Sequence, residues 1–111
     1  MKLVIAFIQP FMAPDVVNAL HRVPGLTGAS FSEVKGFGRG RSTVRANPAD
    51  LHGTVDKLRI EVMVSDNLED HVVRAIREAA HTGNRGDGKI YTIAIDRALR
   101  IATAEEGDHA V

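Results

Sequence analysis

The chain has no cysteine, no excess charge of either sign and no long apolar run. Without cysteine, disulfides, thiolate catalysis and thiolate metal sites are excluded. Fourteen Lys plus Arg balance fourteen Asp plus Glu, so no global field points to nucleic acid or to a membrane surface. The apolar opening Leu3-Val4-Ile5-Ala6-Phe7-Ile8 stops at Gln9-Pro10. That is too short for a signal-peptide core or a membrane span, so no direct membrane insertion is expected and a cytoplasmic protein is the default. Five histidines (His21, His52, His71, His81, His109) show no i, i+4 pair and no metal-ligand spacing, with Asp50 and His52 the best candidates if a metal matters. Ser30, Ser32, Ser42 and Ser65 have no identifiable base, so no Ser-His-Asp catalyst is supported. At 111 residues the chain is expected to form one domain over 1–111, burying about two-thirds of its unfolded surface.

What the chain does have is glycine in two clusters. The first in importance is Thr82-Gly83-Asn84-Arg85-Gly86-Asp87-Gly88-Lys89-Ile90, between a predicted helix and a predicted strand. Glycines let backbone N–H groups approach a ligand at positive φ, and turned N–H groups form anion-binding concavities. Arg85 and Lys89 add cations at the same place, and a polyphosphate is the natural guest. Taken alone, Gly-Asp-Gly is also ordinary turn chemistry. The second cluster, Lys35-Gly36-Phe37-Gly38-Arg39-Gly40-Arg41, opens a polar stretch without period that reaches about residue 56. About twenty such residues mark a functional or mobile loop, or equally a surface linker. This second cluster does not match the dinucleotide fingerprint or the Walker A pattern, since no Gly-Lys-Ser/Thr occurs and the spacing of its glycines is wrong.

A βαβ unit occurs twice. Residues 3–9 predict a strand, and Pro14 with Val16, Ala19, Leu20 and Val23 predicts a helix that Pro24-Gly25 stops. Residues 28–35 return as a strand. After the connection over 39–56, residues 57–64 alternate as a half-buried strand. Ser65 or Asp66 is placed to cap a helix whose apolar positions are Leu68, Val72, Val73, Ile76, Ala79 and Ala80. Residues 89–96 predict the last strand and 99–101 a short extra one, within a C-terminal segment 97–111. Two βαβ halves give an α+β, ferredoxin-like split βαβ fold: an antiparallel sheet with both helices on one face. Val4-Ile5-Ala6-Phe7-Ile8 is apolar on both phases, however, and two helices cover only one face. Symmetric self-association is the simplest way to bury the other.

These residues resemble the PII signal-transduction (nitrogen regulatory) family. The likeness runs through Ile8-Gln9-Pro10-Phe11, Leu26-Thr27-Gly28, Lys35-Gly36-Phe37-Gly38-Arg39, Lys57 with Arg59-Ile60-Glu61, the turn to Ile90, and Arg100-Ile101 with Thr103 and Glu105-Glu106. It covers nearly the whole chain in order and spacing. It implies a ferredoxin-like homotrimer that binds ATP or ADP, with magnesium accompanying ATP, in clefts between subunits. It also implies a long loop that touches a protein partner, a membrane transporter or a metabolic enzyme, mostly in nitrogen control. Carried over by position, Gly36, Phe37, Gly38 and Arg39 form one wall of the nucleotide cleft. Gly86, Asp87, Gly88 and Lys89 form the phosphate-cradling turn, Arg100 arrives from the neighbouring subunit, and Ser30, Glu61 and Met63 line the adenine pocket.

The departures from the family pattern bear on function. Gly40 stands where the family has a glutamine for magnesium and 2-oxoglutarate, while Lys57, for the effector's carboxylate, is kept; half of that site is missing. The loop has no tyrosine to modify, since Tyr91 is the only one and falls in a predicted strand. Ala102 replaces the second arginine of an Arg-x-Arg pair, and Asn84 replaces a common cation. The expectation is a divergent, non-catalytic adenine-nucleotide sensor. The alternative is a CutA-type trimer serving metal tolerance or structural interaction without nucleotide. An enzyme hydrolysing the nucleotide is the weakest reading, for want of a base.

Overall fold

The computed structural model describes residues 1–38 and 54–111. Most of the connection expected over 39–56 therefore lies outside the described residues, and with it Arg39, Gly40, Asp50 and His52.

Strand β1 (Lys2–Ile8) leads through a 3-10 turn (Pro10–Met12) into helix α1 (Ala13–His21), and β2 (Ser30–Gly36) follows. Strand β3 (Val55–Val64), a second 3-10 turn (Asp66–Leu68), helix α2 (Glu69–Ala80) and β4 (Gly88–Ala94) form the other half. The sheet has the order β2-β3-β1-β4 and every neighbouring pair is antiparallel. This is the α+β, ferredoxin-like arrangement that the repeated pattern predicted.

Alternation along β1 and β3 decides what the helices cover. Val4, Ala6 and Ile8 share a core with Ile60, Val62 and Val64, all at most 2% exposed. Onto them fall Val16 and Leu20 of α1, four residues apart, and Val72, Ile76 and Ala80 of α2 at the same spacing. Fully burying a side chain of this kind contributes about 1.5–3 kcal/mol, so this layer holds the fold together. Pro14 sits in the first turn of α1, where its missing N–H costs nothing, and Gly25 at φ +85° follows the end of that helix.

Among the described residues no helix covers the opposite face. It presents Phe7, Arg59, Glu61, Met63, Tyr91 and Ile93, with Met63 42%, Tyr91 49% and Ile93 50% exposed. Phe7 and Tyr91 meet edge to face at 6.4 Å and 78°. The Arg59 guanidinium lies 5.7 Å from the Phe7 ring centre and donates to Glu61 Oε1 at 2.8 Å.

Four local expectations are corrected. Val55 and Asp56 belong to β3, not to the connection, because they pair with Gly36 and Lys35 and the Lys35–Asp56 ion pair (2.5 Å) extends the ladder. Gly88 opens β4 rather than ending the turn, and β4 stops at Ala94 instead of residue 96. Ser65 makes no side-chain cap; its hydroxyl donates to Asn67 Oδ1, while Asp66 Oδ1 accepts from the Met1 amino group at 2.8 Å. Residues 99–101 are not a strand. The chain doubles back on itself there, with one isolated bridge between Leu99 and Glu106 and with Ala104 N–H donating to the Arg100 carbonyl at 2.8 Å. That closure holds Ala104 at φ +61°, and Ile101 is 98% exposed.

Candidate phosphate-binding turn and its surroundings

The register brings the two glycine clusters to one end of the sheet. Ile8 lies opposite Leu58 on one side and Gly88 on the other, and Gly36 lies opposite Val55 on the next strand pair. The end of β1, the starts of β3 and β4 and the end of β2 are thus neighbours. Gly36 closes β2, and Phe37, just beyond it, is 69% exposed.

The turn between α2 and β4 is fastened from inside. Asp87 Oδ2 accepts from the N–H groups of Thr82 (2.8 Å) and Gly83 (3.1 Å), and Asp87 Oδ1 accepts from the Thr82 hydroxyl. The Thr82 hydroxyl oxygen in turn accepts from Asn84 N–H at 3.1 Å. Hydrogen bonds to a carboxylate favour its charged form. The Thr82 hydroxyl first, then the Thr82 N–H, hold the Asp87 carboxyl below its usual value. Gly83 N–H and His81 act in the same direction and burial acts against them. Asp87 therefore spends its charge on the turn itself.

Two contacts fix the turn to the sheet. Lys57 Nζ on β3 donates to the Gly86 carbonyl at 2.5 Å. Gly88 sits at φ +108°, and a Cβ there would lie 1.7 Å from the Phe7 carbonyl oxygen. Only glycine fits so close to a neighbouring backbone. At Gly86 (φ +88°) a Cβ would come within 2.9 Å of Gln9 Nε2. The exposed cations Arg85 and Lys89 flank this pinned backbone. A cleft of about 380 Å³ opens beside it, between α2 and β4, with Arg77, His81, Asp87 and Lys89 among its lining residues. Chemically, the assembly offers positive charge and a preformed glycine backbone to an anion.

The other sequence-derived residues divide into two groups. Ser30 lies opposite Glu61 on the open sheet face, with Met63 two residues further along β3. Glu61 is held there by Arg59. Arg100 lies apart in the C-terminal segment, where its guanidinium donates to the His109 carbonyl at 3.1 Å. Lys57, expected to face an effector's carboxylate, is engaged by the Gly86 carbonyl.

Sequence reasoning missed three contributors. His81 looked like an isolated histidine, yet its Nδ1 lies 3.5 Å from Asp87 Oδ2. Thr82 opens the glycine motif in sequence, and in the structure its hydroxyl anchors Asp87. Gln9 reaches Gly86 from the end of β1. A threonine five residues before an aspartate across glycines was a signal available for the second; nothing in the spacing announced the first or third.

Among the described residues no helix is long and apolar enough to cross a membrane. The sequence model of "Nitrogen regulatory protein P-II" matches residues 1–105. Several curated proteins match end to end. The nitrogen regulatory protein P-II of Azospirillum brasilense is 39% identical over 113 aligned residues, covering all of both chains. That of Rhodospirillum rubrum is 40% identical over the same length and coverage. Nitrogen regulatory protein P-II 1 of Escherichia coli is 41% identical, again across all of both chains. These relatives are named as regulators, not as enzymes. A four-stranded split βαβ sheet, a pinned glycine turn at its end and full-length likeness to these regulators lead to one conclusion: this chain belongs to the P-II nitrogen regulatory protein family.

Proposed function

We propose that this protein is a non-catalytic signal-transduction regulator that binds ATP or ADP, ATP with magnesium, in clefts between the subunits of a cytoplasmic homotrimer. The connection over 39–56 responds to which nucleotide is bound and engages or releases a partner protein, a membrane transporter or a metabolic enzyme of nitrogen metabolism. Differential affinity for two loop states is what allows a ligand to shift that equilibrium. Lys89, Arg39 and Arg100 of a neighbouring subunit share the phosphate charge, and Ser30, Glu61 and Met63 meet the base. With Gly40 in place of the family's glutamine, 2-oxoglutarate does not raise the affinity for ATP appreciably.

The observation that carries this reading is the turn held by Asp87 and Lys57 with Lys89 exposed at its end. Asp87 fastens the turn from inside, while the exposed Arg85 and Lys89 supply the positive charge that an incoming phosphate needs. The trimer is supported by the uncovered sheet face, whose aromatic and aliphatic residues a second and third copy would bury.

Calorimetric titration of ATP and ADP into the wild type and Lys89→Ala tests the reading. Loss of one charge-assisted contact weakens ATP about ten- to a hundredfold, roughly 1.5–3 kcal/mol, while the assembly persists. A wild type that binds no adenine nucleotide would overturn the sensor and favour a structural or metal-tolerance trimer.

A further inference from the structure

We propose that His81 is a positioning residue of the phosphate-binding turn, and that its protonation strengthens polyphosphate binding there as the pH falls. The proposal rests on the nucleotide reading above and adds to it a proton as a second ligand of the same site.

Three observations converge on it. His81 follows the last residue of α2 and begins the glycine turn, so its ring is fixed to the segment that carries the site. Its Nδ1 lies 3.5 Å from Asp87 Oδ2, the oxygen that also accepts from Thr82 and Gly83 N–H. Its side chain is 61% exposed, and it lines the cleft that Asp87, Gly88 and Lys89 share. A proton on the imidazole therefore converts a polar contact into an ion pair on the group that fastens the turn, and adds a cation beside Lys89.

Charges of both signs face the ring. Asp87 is the carboxylate beside it, and the Thr82 bonds favour that carboxylate's ionised form. Arg77 from α2 and Lys89 from β4 are the cations that face the same cleft. Phe7 and Ile8, the β1 residues on the cleft wall, carry no charge. Arg85 in the turn and Lys57 on the Gly86 carbonyl add further positive charge nearby. In the free protein the cations and Asp87 act against each other. A bound polyphosphate neutralises the cations, so binding and protonation reinforce each other. Imidazoles as a class change charge between about pH 5 and 8, which sets the pH range over which the comparison is made.

The test is the affinity for ADP and ATP at about pH 8 and about pH 6, measured calorimetrically on the wild type, His81→Gln and His81→Lys. The phosphates of the ligand titrate too, but identically for all three proteins, so the comparison between proteins removes that contribution. Wild type should gain about two- to fivefold more affinity on acidification than His81→Gln, the scale of one added exposed charge contact. His81→Lys, charged at both pH values, should bind tightly at both and gain no more than His81→Gln. A merely structural histidine would shift the affinity of His81→Gln equally at both pH values. That outcome, or equal pH dependence in all three proteins, overturns the proposal. Absence of nucleotide binding to the wild type at either pH overturns the nucleotide reading itself, a result distinguishable from the other two.

Discussion

The same strands present two chemically different faces. Toward the helices stand Val4, Ala6, Ile8, Ile60, Val62 and Val64, all aliphatic and all essentially out of water. Away from them stand Phe7, Met63, Tyr91 and Ile93 around an Arg59–Glu61 pair, half open to solvent. The first face is finished within one chain, and its residues need only volume and shape. The second combines apolar area with a charged pair held under an aromatic ring. Ion pairs of this exposure contribute little to stability, but on a surface proposed to meet a second copy they would fix which partner and which register are accepted. One face encodes the fold, and the other is the face through which association is proposed.

The largest way to break that comparison is Ile60→Ala. A truncation in the closed layer should cost about 2–5 kcal/mol in denaturant unfolding, while Ile93→Ala on the open face should cost the isolated chain far less. Equal losses would erase the distinction. The next is Ile93→Asp, which places a carboxylate where a neighbouring copy is proposed to sit. It should weaken association by about 3 kcal/mol, through an unpaired charge taken out of water. Light scattering should then report smaller particles while circular dichroism is unchanged. Assembly that survives this change would place the interface elsewhere. The smallest sharpens the boundary between sheet and C-terminal segment: Ala104→Gly relieves the φ of +61° and should raise stability by about 0.5–1 kcal/mol without altering association.

The covered layer was legible in the sequence because burial writes itself as a period. Val72, Ile76 and Ala80 at helical spacing, and Ile60, Val62 and Val64 at strand spacing, leave few alternatives. The open face was legible by subtraction, since β1 is apolar in both phases and the pattern predicts only two α-helices, the two found among the described residues, to cover it. Ends and turns were read less well. Val55 and Asp56 look like loop residues but are drawn into β3 by pairing with Gly36 and Lys35, a contact more than eighteen positions away in sequence that no local pattern carries. Leu99 and Ile101 mimic a strand, yet a backbone reversal of a few residues absorbs them. In the candidate site, Gly86, Gly88 and Lys89 were evident from composition. The partnership of His81 with Asp87 was not, because it depends on how the glycines fold the chain back on itself.

Gly88 has a consequence for how such a chain can vary over generations. Every other amino acid would bring a Cβ to within 1.7 Å of a carbonyl oxygen that β1 cannot move without disturbing its pairing with β3. Mutations at this codon are therefore filtered by the backbone before any ligand is consulted. Diversification of the turn is left to Asn84 and Arg85, whose side chains stand exposed. A lineage can retune the charge and reach of the turn at those two positions while its attachment to the sheet stays the same.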